Sequence, residues 1–287
     1  MSAYLEKHRF LRGLSLLIRR YFDHHVARDS AALTYYLLFA LFPLLVFLNN
    51  LVGLLDFDVD EVFRMLSRIM PQDVADLIRQ YLTHLSQTSS RKLMFFALVF
   101  SVYFPYRAAA ALFFSVRKAY GEGPPRQVIR YHLRVVLFTI LFIITLLVTI
   151  VVVAMGRRAL EFIASYIYLD ERAIKLWTQL RFLCVAVMLF SVITLLYTLA
   201  LDRPRSKREI MPGVLVALAL WTGLSLVFSM YVEHAGRYSI IYGSIGGIIV
   251  LLLWLNLSST SLILGAEFNC ARLETLPHPK EKGEKQI

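Results

Sequence analysis

Charged side chains are missing from long parts of this sequence. Between Tyr238 and Ala266 there is none, and five further stretches of comparable length carry none or a single charge. A helix rises about 1.5 Å per residue and the hydrocarbon layer of a bilayer is roughly 30 Å thick, so about 20 apolar residues cross it. These charge-free stretches exclude an ordinary soluble domain and predict a multi-span membrane protein.

The apolar stretches define six predicted spans, at about residues 31–55, 93–116, 135–156, 182–201, 210–232 and 242–266. They are apolar all round, whereas the strands of membrane barrels alternate apolar and polar residues. The expected fold is therefore all-α, an integral membrane bundle of six transmembrane helices with amphipathic interfacial helices on both faces. Residues 1–30 are predicted to form a cytoplasmic amphipathic helix, 31–269 the membrane domain and 270–287 a disordered cytoplasmic tail.

Cysteine is scarce, and the usual catalytic motifs are absent. Cys184 and Cys270 are predicted near opposite ends of the bundle, which excludes an intramolecular disulfide because the bridged Cα atoms must lie within about 7 Å. The sequence has no zinc-site spacing, P-loop, GxSxG elbow or carboxylate cluster suited to two metals. The acidic residues of 56–61 are interpreted as helix caps. We therefore expect no catalytic residue, no metal, no cofactor and no enzymatic activity.

Basic residues are concentrated in four segments, 7–28, 117–134, 203–208 and 272–285. A net charge of +11 suggests nucleic acid, but these segments alternate with the predicted spans in the way that membrane topology requires. By the positive-inside rule both termini are cytoplasmic. The expected partners are therefore membrane lipids, with no nucleic acid.

Amphipathic segments lie outside the spans. Before the first span, Phe10, Leu14, Leu17, Ile18 and Tyr21 share one helical face while the arginines lie off it, which predicts an interfacial helix. Similar stripes occur twice within 59–85 and once within 160–167. They indicate either a cap over the outer mouth of a cavity or ordinary interfacial helices, and the sequence leaves both interpretations open.

Arg107 is the one charged residue inside a predicted span. An intramembrane charge indicates a functional site, although Arg107 is near enough to the cytoplasmic end for its side chain to snorkel, and both interpretations stay open. Asn256 is expected at a similar depth, and Pro43 near that level frees backbone carbonyls. With Tyr36 and Ser225 these residues form the predicted substrate-binding set; the alternative for such polar residues is hydrogen bonding between helices.

Glycines in the last span predict close helix packing. Gly243 and Gly247 form a GxxxG step near its outer end, and Gly265 lies near its inner end. The GxxxG face is also the candidate interface of a homo-oligomer. Glu267 follows at the cytoplasmic end, where we expect it to pair with Arg117 or Arg208 or to be hydrated.

Four segments resemble the YihY/BrkB family: TYYLLFALFPLL (Thr34 to Leu45), RKAYGEGPPR (Arg117 to Arg126), MPGVLVALALW (Met211 to Trp221) and YGSIGGIIVLLLWLNLSSTSLILGAEFN (Tyr242 to Asn269). The last motif is the most specific, and the resemblance covers roughly Phe10 to Asn269. It implies a bacterial inner-membrane protein with six spans and both termini inside. The chain departs from the family pattern at Ala40 and at Pro105-Tyr106-Arg107.

The resemblance implies less about activity. Members have carried the name ribonuclease BN, which is regarded as a misassignment, and some are linked to virulence or to export of lipid precursors. Our leading hypothesis is a non-enzymatic transporter or flippase-like protein for an anionic amphipathic substrate such as a lipid, with Arg107 binding the headgroup charge. The alternative is a structural or scaffolding membrane protein with a dry core, and a ribonuclease is the least favoured hypothesis.

Overall fold

A computed structural model of the chain describes residues 2–54, 91–154, 171–234 and 244–275. Every regular element in these ranges is an α-helix: α1 (Ser2–Asp23), α2 (Val26–Leu54), α3 (Arg91–Ala119), α4 (Val128–Ala154), α5 (Glu171–Leu199), α6 (Lys207–His234) and α7 (Ser244–Thr275). By length and composition, four segments are able to cross a membrane: Phe95–Ala119, Val128–Thr149, Lys207–Val232 and Gly246–Thr275. The all-helical membrane fold is confirmed, and the total of six spans stays a prediction.

Helix boundaries extend beyond the apolar stretches. The helix α5 begins at Glu171 rather than near residue 182, and α7 continues past residue 269 to Thr275. Lack of charge marks the part of a helix in hydrocarbon, whereas its hydrogen bonding continues into the polar headgroup layer. The amphipathic segments predicted within 59–85 and 160–167 lie outside the described residues, as does most of the predicted tail.

The chain divides into two compact units. The first comprises Met1–Ala32, Ala111–Arg134 and Ile193–Ile287, and the second comprises Leu33–Ala110 and Val135–Val192. In the first unit α7 packs against both α6 and α1. Large apolar side chains of the second unit, such as Phe95, Val102 and Ile140, are more than half exposed in the described structure. A soluble protein rarely leaves such a surface uncovered, so their exposure agrees with lipid contact.

The contact between α6 and α7 in the first unit is made by two glycines. A Cβ atom on Gly213 would overlap the carbonyl of Gly265, and a Cβ atom on Gly265 would lie only 2.6 Å from the Gly213 oxygen and the Ala217 Cβ. Small residues allow helix backbones to approach this closely. Tyr197 of α5 completes the contact by donating its hydroxyl to the Leu262 carbonyl at 2.6 Å.

The buried side chain of Asn269 ties α7 to α6 beside this contact. Its Oδ1 accepts the Gly213 N–H at 2.6 Å, and its Nδ2 donates to the Ile210 carbonyl at 2.9 Å and to the Tyr120 hydroxyl at 2.8 Å. Asn269 is fully buried, where an unmade hydrogen bond costs about 1–3 kcal/mol. Tyr120 directly follows α3, so the Asn269 amide connects α7 both to α6 and to the end of α3.

Pro212 leaves a backbone carbonyl near the start of α6 without its usual helical hydrogen bond. Proline has no N–H, so the carbonyl four residues earlier, on Arg208, has no helical donor. Arg272 of α7 donates an Nη1–H to that carbonyl at 3.3 Å. The MPG segment thus provides the small residue at the crossing, and its proline frees the Arg208 carbonyl that Arg272 of α7 binds.

The glycine contact leads to a test of the α6–α7 crossing. We expect G213A to lower the free energy of unfolding by about 1–3 kcal/mol, because the added methyl group forces two backbones apart. Gly223 lies on the same helix, and a Cβ atom added there would meet nothing within 4 Å, so G223A is the matched control. Alanine favours helix over glycine by up to about 1 kcal/mol, so G223A should be neutral or stabilising.

The measurement is the thermal unfolding of both purified variants in the same detergent, followed by tryptophan fluorescence. Equal transition temperatures for G213A and G223A would contradict the proposed close contact.

Candidate functional site

A left-handed turn ends α3 and begins the basic connection that follows it. Gly121 has a φ of 65°, a region that glycine adopts with little strain. Its N–H donates to the Lys118 carbonyl at 3.0 Å, and the Glu122 N–H donates to the Arg117 carbonyl at 2.9 Å. These are the two bonds of a Schellman cap. The turn leaves the Glu122 carboxylate 3.0 Å from the backbone nitrogen of Asp202, which follows α5.

The Asp202 carboxylate binds arginine side chains from two helices. Arg117 donates to its Oδ2 at 3.0 Å, Arg134 donates to its Oδ1, and the Arg126 backbone N–H reaches Oδ2 at 3.3 Å. We name Arg117, Glu122, Arg134 and Asp202 the Asp202 cluster. It joins the end of α3, the start of α4 and the residues after α5.

Arg117 is the buried centre of this cluster, with 4% of its surface exposed. Besides Asp202, its guanidinium donates to the Ala200 carbonyl at 3.1 Å and the Gly123 carbonyl at 2.8 Å, and it lies 3.2 Å from the Glu122 carboxylate. Removing a charge from water costs several kcal/mol unless partners replace the lost hydration. Four acceptors provide that replacement, so Arg117 acts as a structural cation.

The arginines also control the charge of Asp202. Burial tends to raise the pKa of its carboxyl, but the hydrogen bonds from Arg117, Arg134 and the Arg126 N–H outweigh burial and lower this pKa to about 2. The carboxylate is therefore charged at any physiological pH and holds its two arginines permanently.

A second cluster surrounds Glu267 near the end of α7. This carboxylate is 1% exposed; Arg20 donates to its Oε2 at 3.0 Å and His24 donates Nδ1–H to its Oε1 at 2.5 Å. Arg20 also donates to the Ala119 carbonyl at 3.1 Å and to the half-exposed Glu274. Burial tends to lower the pKa of Arg20, but Glu274 and Glu267 raise it above its ordinary value. We name Arg20, His24, Glu267 and Glu274 the Glu267 cluster.

The partners of Glu267 correct the sequence interpretation. Pairing with Arg117 or Arg208, or hydration, was expected, and the structure instead pairs Glu267 with Arg20 and His24 of the N-terminal segment. The reason is that α1 packs on α7 and excludes water from the carboxylate. The sequence contains no signal for which basic segment covers this end of α7.

The segment between α1 and α2 is held by further bonds. His25 has a φ of 52°, which interrupts the helix between Asp23 and Val26. Lys118, at the end of α3, donates to the His24 carbonyl and pairs with Asp29 at 3.0 Å. The junction is thus fixed by α3 on one side and by Glu267 on the other.

Arg107 lies in α3 within the second unit. Its Nη2 donates to the Tyr36 hydroxyl at 2.9 Å, and its Cζ lies 5.1 Å from the centre of the Tyr36 ring. The guanidinium-bearing side chain is exposed. Two of the five predicted substrate-binding residues are therefore in direct contact, and Pro43 lies further along α2, the helix that carries Tyr36.

Asn256 and Ser225 belong to the first unit, on α7 and α6 respectively. The Asn256 carbonyl accepts a hydrogen bond from the Thr260 hydroxyl at 2.8 Å, within the same helix. Each unit is described by itself, so the grouping of these two residues with Arg107 stays a prediction.

The three glycines assigned to helix packing have different surroundings. Gly243 lies outside the described residues, and a Cβ atom on Gly247 would meet no atom within 4 Å. Gly265, in contrast, forms the close contact with Gly213. Within the described part of the chain, tight packing of α7 is therefore found at the GAEFN end of the helix.

Asp202 and Asn269 are the polar residues that sequence reasoning missed. Asp202 stands next to the run of basic residues 203–208, and an acidic residue beside such a run is a signal for local charge pairing. Asn269 follows an apolar run and faces a Pro-Gly pair on another helix. Neither signal identifies the partners, because these lie in segments far apart in the chain.

Comparison with known proteins places these clusters in a family context. A family model described as virulence factor BrkB matches residues 17–286, a range that contains both clusters and Arg107. The chain belongs to the BrkB family. The resemblance read from the four sequence motifs is thereby confirmed, and this BrkB-family chain is a membrane protein.

Relatives of this BrkB-family chain carry different names. The ribonuclease-like protein YfkH of Bacillus subtilis (strain 168) is 30% identical over 256 residues, which are 89% of this chain and 93% of YfkH. The UPF0761 membrane protein PSHAa0171 of Pseudoalteromonas translucida (strain TAC 125) is 36% identical over 73 residues, 25% of this chain and 24% of that protein. No solved structure matches the chain.

These names support a membrane protein more directly than an enzyme. The family description and the UPF0761 name mention no enzymatic activity, and the ribonuclease-like name applies to YfkH. Among the described residues, no group of three or more His, Cys, Asp or Glu side chains is arranged to hold a metal ion.

The Glu267 cluster predicts a large difference between two carboxylates that bind the same arginine. We expect E267Q to lower the free energy of unfolding by about 3 kcal/mol, because the partly buried Arg20 loses a fully buried anionic partner. Glu274 is 52% exposed, so E274Q should cost less than about 1 kcal/mol. Thermal unfolding of the two purified variants, compared with the unmodified chain, measures both losses. Similar losses for E267Q and E274Q would show that the buried Glu267 carboxylate does not stabilise the fold more than the exposed Glu274 does.

Asp202 predicts a specific acid dependence. The pKa of its carboxyl is about 2 in the folded chain and about 3.9 in an unfolded one, so the folded state binds this proton less readily. Its contribution to stability is therefore fully present above about pH 4 and is lost as the pH falls toward 2.

We expect the gap in melting temperature between the unmodified chain and D202N to stay constant from neutral pH to about pH 4 and to narrow below it. Fluorescence-detected melting across this pH range measures the gap. A gap that begins to close near neutral pH would show that Asp202 does not have the lowered pKa.

Proposed function

We propose that this chain is a non-enzymatic transporter or flippase-like protein of the bacterial inner membrane that handles an anionic amphipathic molecule such as a lipid. The observation that carries the proposal is Arg107, a permanent cation in the middle of the span Phe95–Ala119. In the described part of the chain its guanidinium contacts a neutral partner, Tyr36, and no carboxylate lies within ion-pair distance.

The energy of this arrangement favours an anion as the missing partner. An arginine at the centre of a membrane helix costs about 2.5–3.5 kcal/mol on insertion scales. One hydrogen bond from a charged donor contributes about 1.5–3 kcal/mol, so Tyr36 offsets much of the cost but leaves the charge uncompensated. A guanidinium has five N–H donors arranged to bind phosphate or carboxylate through two bonds at once.

Aromatic side chains of the second unit suit the apolar part of such a substrate. Tyr35 and Phe39 have ring centres 4.5 Å apart, Phe39 and Phe104 5.6 Å, and Phe100 and Phe104 5.7 Å. Tyr35, Phe39 and Phe100 are exposed. On the proposed reading Arg107 binds the charged headgroup while acyl chains follow this aromatic strip.

Orientation in the membrane is part of the proposal. The basic segments support cytoplasmic N- and C-termini through the positive-inside rule. The proposed partners are membrane lipids, and a homo-oligomer built on the GxxxG face of α7 remains a prediction from the sequence. The second candidate function, a structural scaffold, is favoured by the tightly packed first unit with its Gly213–Gly265 contact.

The test measures lipid movement in vesicles that contain the purified full-length chain. A fluorescent anionic lipid, NBD-phosphatidylglycerol, is placed in phosphatidylcholine vesicles, and dithionite quenches the outer-leaflet fraction. We expect R107Q to slow protein-dependent movement about tenfold or more, the effect of losing one charge-assisted interaction of about 1.5 kcal/mol or more. R107K should retain part of the activity because the charge remains.

The matched control is R130Q, which also removes one positive charge. Arg130 is exposed and lies near the start of α4, away from the middle of any candidate span. It should behave as the unmodified chain. Movement that is unchanged in R107Q would remove Arg107 from the mechanism. If the unmodified chain moves neither anionic nor zwitterionic lipid, the scaffold becomes the better explanation.

A further inference from the structure

A cavity of about 240 Å³ opens in the first unit beside the Asp202 cluster. One wall comes from the connection between α3 and α4, which contributes Tyr120 and Arg126. The other wall comes from the connection between α5 and α6, which contributes Arg203 and Arg205. At roughly 30 Å³ per water molecule, the space corresponds to about eight waters. The cavity is large enough for a small ligand, and all of its lining residues except Arg117 lie outside the candidate spans.

The two carboxylates that line this cavity are already engaged. Asp202 accepts from Arg117, Arg134 and a backbone N–H, as described above. Glu122 accepts the N–H groups of Asp202 and Arg203 at 3.0 and 3.5 Å and lies 3.2 Å from the Arg117 guanidinium. Both carboxylates of the cavity wall are therefore paired with donors of the protein itself.

Arginine side chains that line the cavity leave it with excess positive charge. The side chains of Arg126 and Arg203 are exposed, and within the described part of the chain neither guanidinium has a hydrogen-bond or ion-pair partner. Arg205 lies 3.5 Å from Glu209 and 5.9 Å from the centre of the Tyr120 ring. With Arg117, four arginines and two carboxylates line the cavity, which leaves an excess of two positive charges.

The backbone that carries these arginines is held in place. The Schellman cap fixes the path of Gly121 and Glu122, and the Gly123 carbonyl accepts from Arg117 at 2.8 Å. Pro124 and Pro125 then restrict φ on the way to Arg126. Asp202 accepts the Arg126 backbone N–H and Glu122 accepts the Arg203 backbone N–H, so the same two carboxylates position the backbone from which both arginine side chains extend. The backbone of this site therefore loses little conformational freedom when a ligand binds, and the entropic cost comes from ordering the arginine side chains.

We propose that this cavity binds a phosphate oxyanion through Arg126 and Arg203, with Arg205 at its edge. Arginine binds phosphate through paired, charge-assisted hydrogen bonds, and Arg126 and Arg203, whose guanidinium groups have no partner among the described residues, provide the donors. The phosphate belongs either to the headgroup of an anionic lipid or to a small soluble phosphate ester. Arg107 lies in the other unit and takes no part, so this inference does not depend on the proposed transport function.

The experiment compares the unmodified full-length chain with R126Q/R203Q, both in nanodiscs. The first arm uses phosphatidylcholine nanodiscs and measures binding of inorganic phosphate and glycerol 3-phosphate by isothermal titration calorimetry. The second arm uses mixed phosphatidylcholine and phosphatidylglycerol and counts the phosphatidylglycerol molecules that stay bound in native mass spectrometry. The matched control is R130Q/R208Q, which removes the same charge from exposed arginines that do not line the cavity.

We expect R126Q/R203Q to lose binding at least tenfold in one of the two arms and R130Q/R208Q to retain it. Loss in the first arm identifies a soluble phosphate ester, and loss in the second identifies a lipid headgroup. The substituted side chains make no hydrogen bond or ion pair in the described structure, so the melting temperature of R126Q/R203Q should match that of the control. The proposal is overturned if the unmodified chain binds in neither arm, or if both double variants bind equally.

Discussion

Gly213 and Gly265 allow α6 and α7 to approach until backbone meets backbone, and the polar structure of the first unit depends on that approach. At this separation the Asn269 amide reaches α6 and the residue after α3 simultaneously. Any larger side chain at either glycine would move the donors and acceptors of Asn269 out of range. The position of Glu267, only two residues earlier on α7, follows from the same crossing. Packing of the smallest residues thus sets the geometry of the charged ones.

The first unit satisfies its buried charges internally. Asp202 binds Arg117 and Arg134, and Glu267 binds Arg20 and His24. Because Arg117 and Glu267 are buried, each depends on its partners for the hydration it has lost. Arg107 in the second unit has a different environment, because its described contacts are with the neutral Tyr36. One chain therefore contains arginines that complete the fold and one, Arg107, for which we propose an anionic ligand. The contrast is the main physical reason to look for function at Arg107.

Much of the fold follows from the sequence, because hydrocarbon tolerates so few residue types. Lack of charge located the helices, and the single exception within a span, Arg107, was recognisable without any structure. Tyr36 is also among the predicted substrate-binding residues, although only the structure shows its direct contact with Arg107. The Asp202 and Glu267 clusters were not predicted, since each joins segments from distant parts of the chain whose contacts no local pattern encodes. The helices extend beyond the predicted spans for a related reason: backbone hydrogen bonds continue in the headgroup layer, where charged residues are again allowed.

Arg20 and Glu267 are separated by 247 positions in the chain. A ribosome therefore makes Arg20 long before it makes Glu267. Until α7 has been inserted, α1 lacks this carboxylate, and its exposed Leu14, Ile18 and Phe22 provide an apolar face for the bilayer surface. Docking of α1 on α7 is thus a late event in biogenesis. In a chain truncated before residue 267, Arg20 and His24 have no Glu267 carboxylate to bind.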